Sequence, residues 1–135
     1  IKGQKAEVIR INPFGKWDIA LLKSEFHAPG LKLGKYPKVG DEVMVFGLPG
    51  RHNSYFPTWV RVSNPFHQWP KGDLYWIANM VFDGNMWPGH SGSPILDKSG
   101  KVISMAQGGY EGRHQGLNLG IPYYILKSFL IDVME

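Results

Sequence analysis

A serine flanked by glycines is the residue best suited to do chemistry in this sequence. The stretch NMWPGHSGSPIL runs from Asn85 to Leu96 and contains Ser91. A hydrolytic serine needs an exposed hydroxyl on a tight turn, with backbone N–H groups directed at the oxyanion that forms during reaction. Gly89 permits such a turn and leaves room for a substrate carbonyl. The same stretch is also compatible with an ordinary turn that leads into a β-hairpin, so by itself it leaves both interpretations open.

One known presentation of a serine nucleophile, the G-x-S-x-G elbow of α/β-hydrolases, does not fit this stretch. Position 93 is Ser93 where the motif requires glycine, and Pro94 begins an apolar, strand-like segment where a helix should start. The part of the chain after Ser91 is also too short to supply the acid and the histidine that follow the nucleophile in that fold.

Short apolar runs separated by Gly/Pro turns make up most of the chain, which predicts an all-β sandwich or barrel. The predicted strands are Ala6–Ile11, Asp18–Lys23, Asp41–Gly47, Thr58–Ser63, Asp73–Phe82 and the PIL and VISM arms of a hairpin around DKSGK. The single predicted helix is YYILKSFLIDVME, which starts at Tyr123. It follows Pro122 and places its apolar residues on one face.

Composition excludes several other classes of protein. The 135 residues are 43% hydrophobic and 19% charged, as in a globular domain. The chain contains no cysteine, which rules out disulfides and cysteine-based metal sites. The basic residues give a net charge of +4 but are scattered, so we expect a solvated surface and no nucleic-acid partner. We find no signal peptide and no run of about 18 apolar residues, and therefore expect no membrane span.

Four segments, in chain order, resemble trypsin-like serine proteases, in particular the cysteine-free bacterial and viral branch that includes the high-temperature-requirement proteases and glutamyl endopeptidases. They are WDIALLK (aspartate segment), VGDEVMVFGLPG (last strand of the first barrel), PGHSGSPILDKSGKVISMAQGG (nucleophile turn, hairpin and substrate strand) and LNLGIPYYIL (last strand and helix). The resemblance implies a double β-barrel with a C-terminal helix. Residues 1–50 would form the C-terminal part of the first barrel, and residues 51–135 would form the second barrel with the C-terminal helix, the two together making one peptidase domain.

The resemblance also implies roles for individual residues. Ser91 matches the nucleophile, the N–H groups of Gly89 and Ser91 match the oxyanion hole, and Asp18 matches the buried aspartate that orients the catalytic histidine. His90 departs from the usual acidic or amide residue, and its side chain is expected to point into the turn. No metal or cofactor is implied. The residues expected to bind substrate, through a pocket and a strand with a free edge, are Asn85, Ser104, Met105, Ala106, Gln107 and Gly108.

The histidine is the missing member of this set. In the trypsin-like order it precedes the aspartate, whereas every histidine of this chain follows Asp18: His27, His52, His67, His90 and His114. We therefore expect the base, and the opening strands of the first barrel, upstream of Ile1. The sequence predicts a serine endopeptidase acting on a protein or peptide. The alternatives are a pseudoprotease that binds peptides without the base, and a non-catalytic β-domain.

Overall fold

In the part of the chain that the structure describes, alternating and β-branched segments form eight strands, and the amphipathic C-terminal segment forms one helix. The computed structural model describes residues 3–12, 17–47, 55–70, 77–87, 89–109 and 118–134. The elements are β1 Ala6–Asn12, β2 Ile19–Ser24, β3 Glu42–Gly47, β4 Phe56–Gln68, β5 Ala78–Gly84, β6 Pro94–Leu96, β7 Val102–Gly109, β8 Asn118–Gly120 and α1 Tyr123–Met134. The predicted all-β class with a C-terminal helix is confirmed. No helix within the described ranges is long and apolar enough to cross a membrane.

The strands described here form two separate sheets. Strands β1 and β2 pair as an antiparallel hairpin, and the remaining six close into a barrel in the order β3-β4-β5-β8-β7-β6. The predicted boundary between residues 50 and 51 places the VGDEVMVFG strand in the first barrel, but β3 pairs with both β4 and β6. The change of sheet therefore falls between β2 and β3. The Gly- and Pro-rich segment 25–41 connects the two sheets. Within this segment, Leu33 forms a parallel β-bridge with Val102 at the start of β7.

Two apolar clusters hold these elements together. The first fills the six-stranded barrel with Val43, Val45, Val60, Val62, Met80, Phe82, Ile95, Ile103, Ala106 and Tyr123. The second joins the hairpin to α1 through Ile19, Ile121, Leu126 and Phe129. The Arg10 guanidinium strengthens this junction, because Nη1 donates to the Phe129 carbonyl at 2.9 Å and the group lies 5.5 Å from the ring centre. The hairpin that carries Asp18 is thereby held against the helix.

Truncation of the barrel core is expected to destabilise the protein. Ile103 is 1% exposed within the first cluster, so Ile103→Ala should lower the free energy of unfolding by about 2–5 kcal/mol through lost burial and the cavity that remains. Ile77→Ala is the matched control, because that side chain is 49% exposed. Urea unfolding followed by circular dichroism measures both. Equal losses for the two variants would contradict the assigned core.

Candidate active site

Ser91 lies on an exposed turn whose backbone follows from its glycines. Gly89 and Gly92 have φ values of 98° and 85°, a left-handed region that glycine enters without the penalty of a Cβ. The turn is closed by hydrogen bonds from His90 N to the Trp87 carbonyl at 3.0 Å and from Ser93 N to the His90 carbonyl at 2.8 Å. Ser91 is consequently presented to solvent at the tip of a fixed loop.

Strand β7 anchors this turn from behind. Gly92 N donates to the Ala106 carbonyl at 2.7 Å, and Ala106 N donates to the Ser93 carbonyl at 2.9 Å. Gly47, at the end of β3, lies against the same turn, because a methyl group at Gly47 would collide with the Ser93 side chain. Within the described part of the chain we find no acceptor for the N–H groups of Gly89 and Ser91.

His90 is buried inside the turn, as expected for a structural residue. It is 0% exposed, and its Nδ1 accepts the Trp87 N–H at 3.0 Å. That bond places the proton of the neutral ring on Nε2, which has no hydrogen-bond partner among the described residues. Burial lowers the pKa of His90 below its ordinary value, because desolvation disfavours the imidazolium.

The protein is expected to lose stability in acid through His90. Because the folded state holds this pKa below the unfolded value, the unfolded chain takes up the proton first as the pH falls. The free energy of unfolding should fall as the pH drops from about 7.5 to about 5.5, a range that spans the ordinary histidine pKa. His90→Asn keeps an acceptor for Trp87 N and should reduce this pH dependence, as measured by urea unfolding. His27→Gln is the control, because His27 is exposed, and it should leave the pH dependence of the free energy of unfolding unchanged. An unchanged slope in His90→Asn would contradict this assignment.

Asp18 lies exposed at the entrance to β2, although the resemblance implied a buried aspartate. Its φ of 52° makes it the one non-glycine residue with positive φ in the described ranges. The preceding residue, Trp17, is held through both its N–H and its carbonyl. Trp17 N donates to Asn12 Oδ1 at 3.2 Å, and the Trp17 carbonyl accepts from Gln107 Nε2 at 2.8 Å. The second of these bonds joins the aspartate segment to the six-stranded barrel.

The two predicted catalytic segments are therefore anchored at successive positions of β7. Ala106 bonds the residues that follow Ser91, while the Gln107 side chain bonds the residue that precedes Asp18. The other histidines lie elsewhere or outside the described residues. His27 is exposed beyond β2, His67 packs against the Trp69 ring with centroids 4.5 Å apart, and positions 52 and 114 fall in ranges that the structure does not describe.

The predicted peptide-binding edge is shorter than expected. Ser104 and Met105 pair with β6, and Ala106 pairs with β8 and bonds the Ser91 turn. The buried Ser104 Oγ donates to the Ile121 carbonyl at 2.7 Å. The free edge expected from Ser104 onward therefore begins only at Gln107. From there to Gly109, β7 has β8 on one side and no described strand on the other.

Asn85 is exposed just after β5, in a segment held by Asn118. Asn118 Nδ2 donates to the Gly84 carbonyl at 2.5 Å, and Oδ1 accepts from Met86 N at 3.3 Å. These bonds fix the backbone on both sides of Asn85.

Sequence reasoning missed the partners of Gln107. Asn79 Nδ2 donates to Gln107 Oε1 at 2.5 Å, and Trp69 Nε1 donates to Asn79 Oδ1 at 2.8 Å. Asn79 is 0% exposed near the start of β5, among apolar neighbours. A polar residue at such a position signals a buried hydrogen-bond network, since an unpaired amide there would be costly.

Solved structures share this architecture. The active form of the Rv3671c protease from M. tuberculosis superimposes with a TM-score of 0.78 at 21% identity, over 95% of this chain and 58% of that one. The HtrA-type protease AlgW with a decapeptide gives 0.78 at 20%, over 97% and 41%. The MamO protease domain from Magnetospirillum magneticum gives 0.73 at 18%, over 94% and 68%.

The chain thus spans between 41% and 68% of the length of these three structures. No curated protein resembles its sequence closely enough to count as a relative. The family model described as a trypsin-like peptidase domain matches residues 2–105, which include both the Asp18 segment and the Ser91 turn. The chain therefore belongs to the trypsin-like peptidase domain family.

Proposed function

We propose that the chain carries most of the catalytic apparatus of a serine endopeptidase, with Ser91 as the nucleophile and Asp18 as the residue that orients the catalytic histidine. The observation that carries the proposal is the shared anchorage on β7. Ala106 and Gln107 hold the Ser91 turn and the Trp17–Asp18 peptide at adjacent positions of one strand. Ser91 and Asp18 lie 73 positions apart in sequence (91 − 18), so only the fold brings their segments to the same strand.

The reaction follows from the chemistry of these groups. Ser91 Oγ attacks the carbonyl carbon of a peptide bond while the histidine takes its proton, and the N–H groups of Gly89 and Ser91 hold the oxyanion. Collapse of this intermediate breaks the C–N bond, and the histidine returns the proton to the leaving amine. Water, activated by the same histidine, then hydrolyses the acyl-enzyme and frees Ser91.

We place the histidine in a segment that precedes residue 1 in the full-length protein. The described histidines have other environments: His27 is exposed, His67 lies against Trp69, and His90 is enclosed in the nucleophile turn. The β1–β2 hairpin is consistent with this placement. Apolar side chains on both of its strands remain about half exposed, namely Val8, Ile9, Ile11 and Leu22. Additional strands of a first barrel would cover them.

The substrate we propose is an extended polypeptide. It would add to β7 along Gln107–Gly109, where β7 has no described partner on one side. Asn85, fixed by Asn118 beside the nucleophile turn, would line the pocket for the substrate side chain. The decapeptide bound to AlgW supports this class of ligand for a protease of the same fold.

Comparison of two forms of the protein tests the placement of the base. The full-length protein is expected to hydrolyse a casein or chromogenic peptide substrate, whereas residues 1–135 alone should not, because a serine without a base is a poor nucleophile. Robust hydrolysis by residues 1–135 would instead place the base among His27, His52, His67 and His114. If the full-length protein binds peptides without hydrolysing them, the proposed endopeptidase activity is contradicted and a pseudoprotease is indicated.

A further inference from the structure

Four groups form a continuous chain of hydrogen bonds from the barrel to the aspartate segment. The Trp69 indole N–H donates to Asn79 Oδ1 at 2.8 Å, Asn79 Nδ2 donates to Gln107 Oε1 at 2.5 Å, and Gln107 Nε2 donates to the Trp17 carbonyl at 2.8 Å. We call this chain the Trp69–Trp17 relay. It links Trp69, the residue that follows β4, and strands β5 and β7 to the peptide bond that Trp17 forms with Asp18.

The relay can be satisfied in one orientation only. An indole N–H only donates and a backbone carbonyl only accepts, so the two ends of the relay fix its direction. Asn79 must then present its oxygen to Trp69 and its amide nitrogen to Gln107, and Gln107 must present its nitrogen to Trp17. Rotating the Gln107 amide by half a turn would face its oxygen to the Trp17 carbonyl and its nitrogen to Asn79 Nδ2. The buried Asn79 therefore orients the Gln107 amide so that its Nε2 donates to the Trp17 carbonyl.

The peptide at the end of the relay leads into a residue with an unusual backbone conformation. Asp18 has a φ of 52°, in the left-handed region that residues with a Cβ enter uncommonly and that aspartate enters more readily than most. Asn12 holds Trp17 from within the hairpin. Gln107 holds the same residue from the barrel that carries Ser91. Of these two contacts, only the one from Gln107 relates Asp18 to the nucleophile.

We propose that Gln107 is a positioning residue, which acts through the Trp17 carbonyl to fix the Asp18 backbone relative to Ser91, and that Asn79 and Trp69 hold its amide in the required orientation. This inference rests on the proposed function, because it assigns Asp18 a catalytic task. It gives the Gln107 side chain a role different from substrate binding, since both of its amide atoms are already engaged by the protein. Its backbone remains at the peptide edge.

Gln107→Met tests the proposal in the full-length protein. Methionine has a similar length and no charge but cannot donate to Trp17, so kcat is expected to fall by about a hundredfold, the scale of a misplaced catalytic group. KM for a chromogenic peptide should change little. Gln68→Met is the matched control, because Gln68 is exposed at the end of β4. It should retain parental kcat.

A double-mutant cycle with Asp18→Asn separates positioning from a general structural effect. If Gln107 acts through Asp18, then Gln107→Met should cost about a hundredfold with Asp at position 18 and almost nothing further with Asn there. An equal loss in both backgrounds would overturn the proposal, as would parental kcat in Gln107→Met. Circular dichroism and urea unfolding show whether each variant is folded.

An NMR measurement that does not depend on activity separates a failure of the Gln107 proposal from a failure of the proposed protease function. The ¹⁵N chemical shift of the Asp18 amide reports on the Trp17 carbonyl, which belongs to the same peptide group. We expect Gln107→Met and Asn79→Leu to shift or broaden this resonance and Gln68→Met to leave it in place. An unmoved Asp18 resonance in Gln107→Met overturns the relay even if the protein is an active protease. A parent with no Ser91-dependent hydrolysis overturns the proposed function and, with it, the catalytic role of the relay.

Discussion

Alanine at position 91 is expected to abolish peptide hydrolysis by the full-length protein, with a loss of about a million-fold in turnover. The substitution removes the hydroxyl that would form the acyl-enzyme and leaves the rest of the site in place. Because Ser91 is exposed on its turn, Ser91→Ala should leave the fold intact. Steady-state hydrolysis of a chromogenic peptide measures the loss, and circular dichroism checks the fold.

Ser99→Ala is the control for this prediction. Ser99 is also exposed on a turn, in the hairpin between β6 and β7, where it contacts Asp97. It lies outside the nucleophile turn and should retain turnover within an order of magnitude of the parent. Turnover by Ser91→Ala near the parental rate would show that another group attacks the substrate.

Asp18→Asn is expected to lower turnover of the full-length protein by about ten-thousand-fold. Asparagine preserves the shape of the side chain. Its amide, however, holds the histidine in the wrong tautomer and cannot stabilise the imidazolium that forms when Ser91 loses its proton. The double variant Ser91→Ala/Asp18→Asn should be little worse than Ser91→Ala alone, because the members of a triad act as one unit.

Other aspartates provide the controls for Asp18. Asp83 is exposed at the end of β5, and Asp41 accepts the Lys38 N–H at 2.9 Å in a turn before β3. Asparagine at either position should leave turnover within about an order of magnitude of the parent, as should Asp97→Asn and Asp73→Asn, the latter in a segment that the structure does not describe. A full-length Asp18→Asn enzyme with near-parental turnover would refute the role of this carboxylate.

The local features of the chain could be predicted from sequence because their causes are local. Glycines on either side of Ser91 dictate the turn, and the apolar stripe after Pro122 dictates the helix. Alternating and β-branched residues likewise placed most strands within a few residues of their observed bounds. The resemblance of the Asp18 and Ser91 segments to trypsin-like proteases agrees with the family match over residues 2–105.

Features set by pairing over long distances could not be predicted in the same way. The segment VGDEVMVFG forms the expected strand β3, but nothing in those letters shows that its partners are β4 and β6. The occupied backbone of Ser104 to Ala106 depends on the same closure of the barrel. Asn79 and Gln107 lie 28 positions apart. Asn79 signals a buried polar contact, but its partner becomes visible only once β5 and β7 are placed.

Covalent labelling of Ser91 tests the central claim most directly. The full-length protein should react with a serine-directed fluorophosphonate, and mass spectrometry of the digested adduct should place the label on the peptide that contains Ser91. Ser91→Ala should not be labelled, and Asp18→Asn should be labelled far more slowly, because the probe reacts only with an activated serine. A label on another residue, or none on a full-length protein that hydrolyses peptides, would contradict Ser91 as the nucleophile.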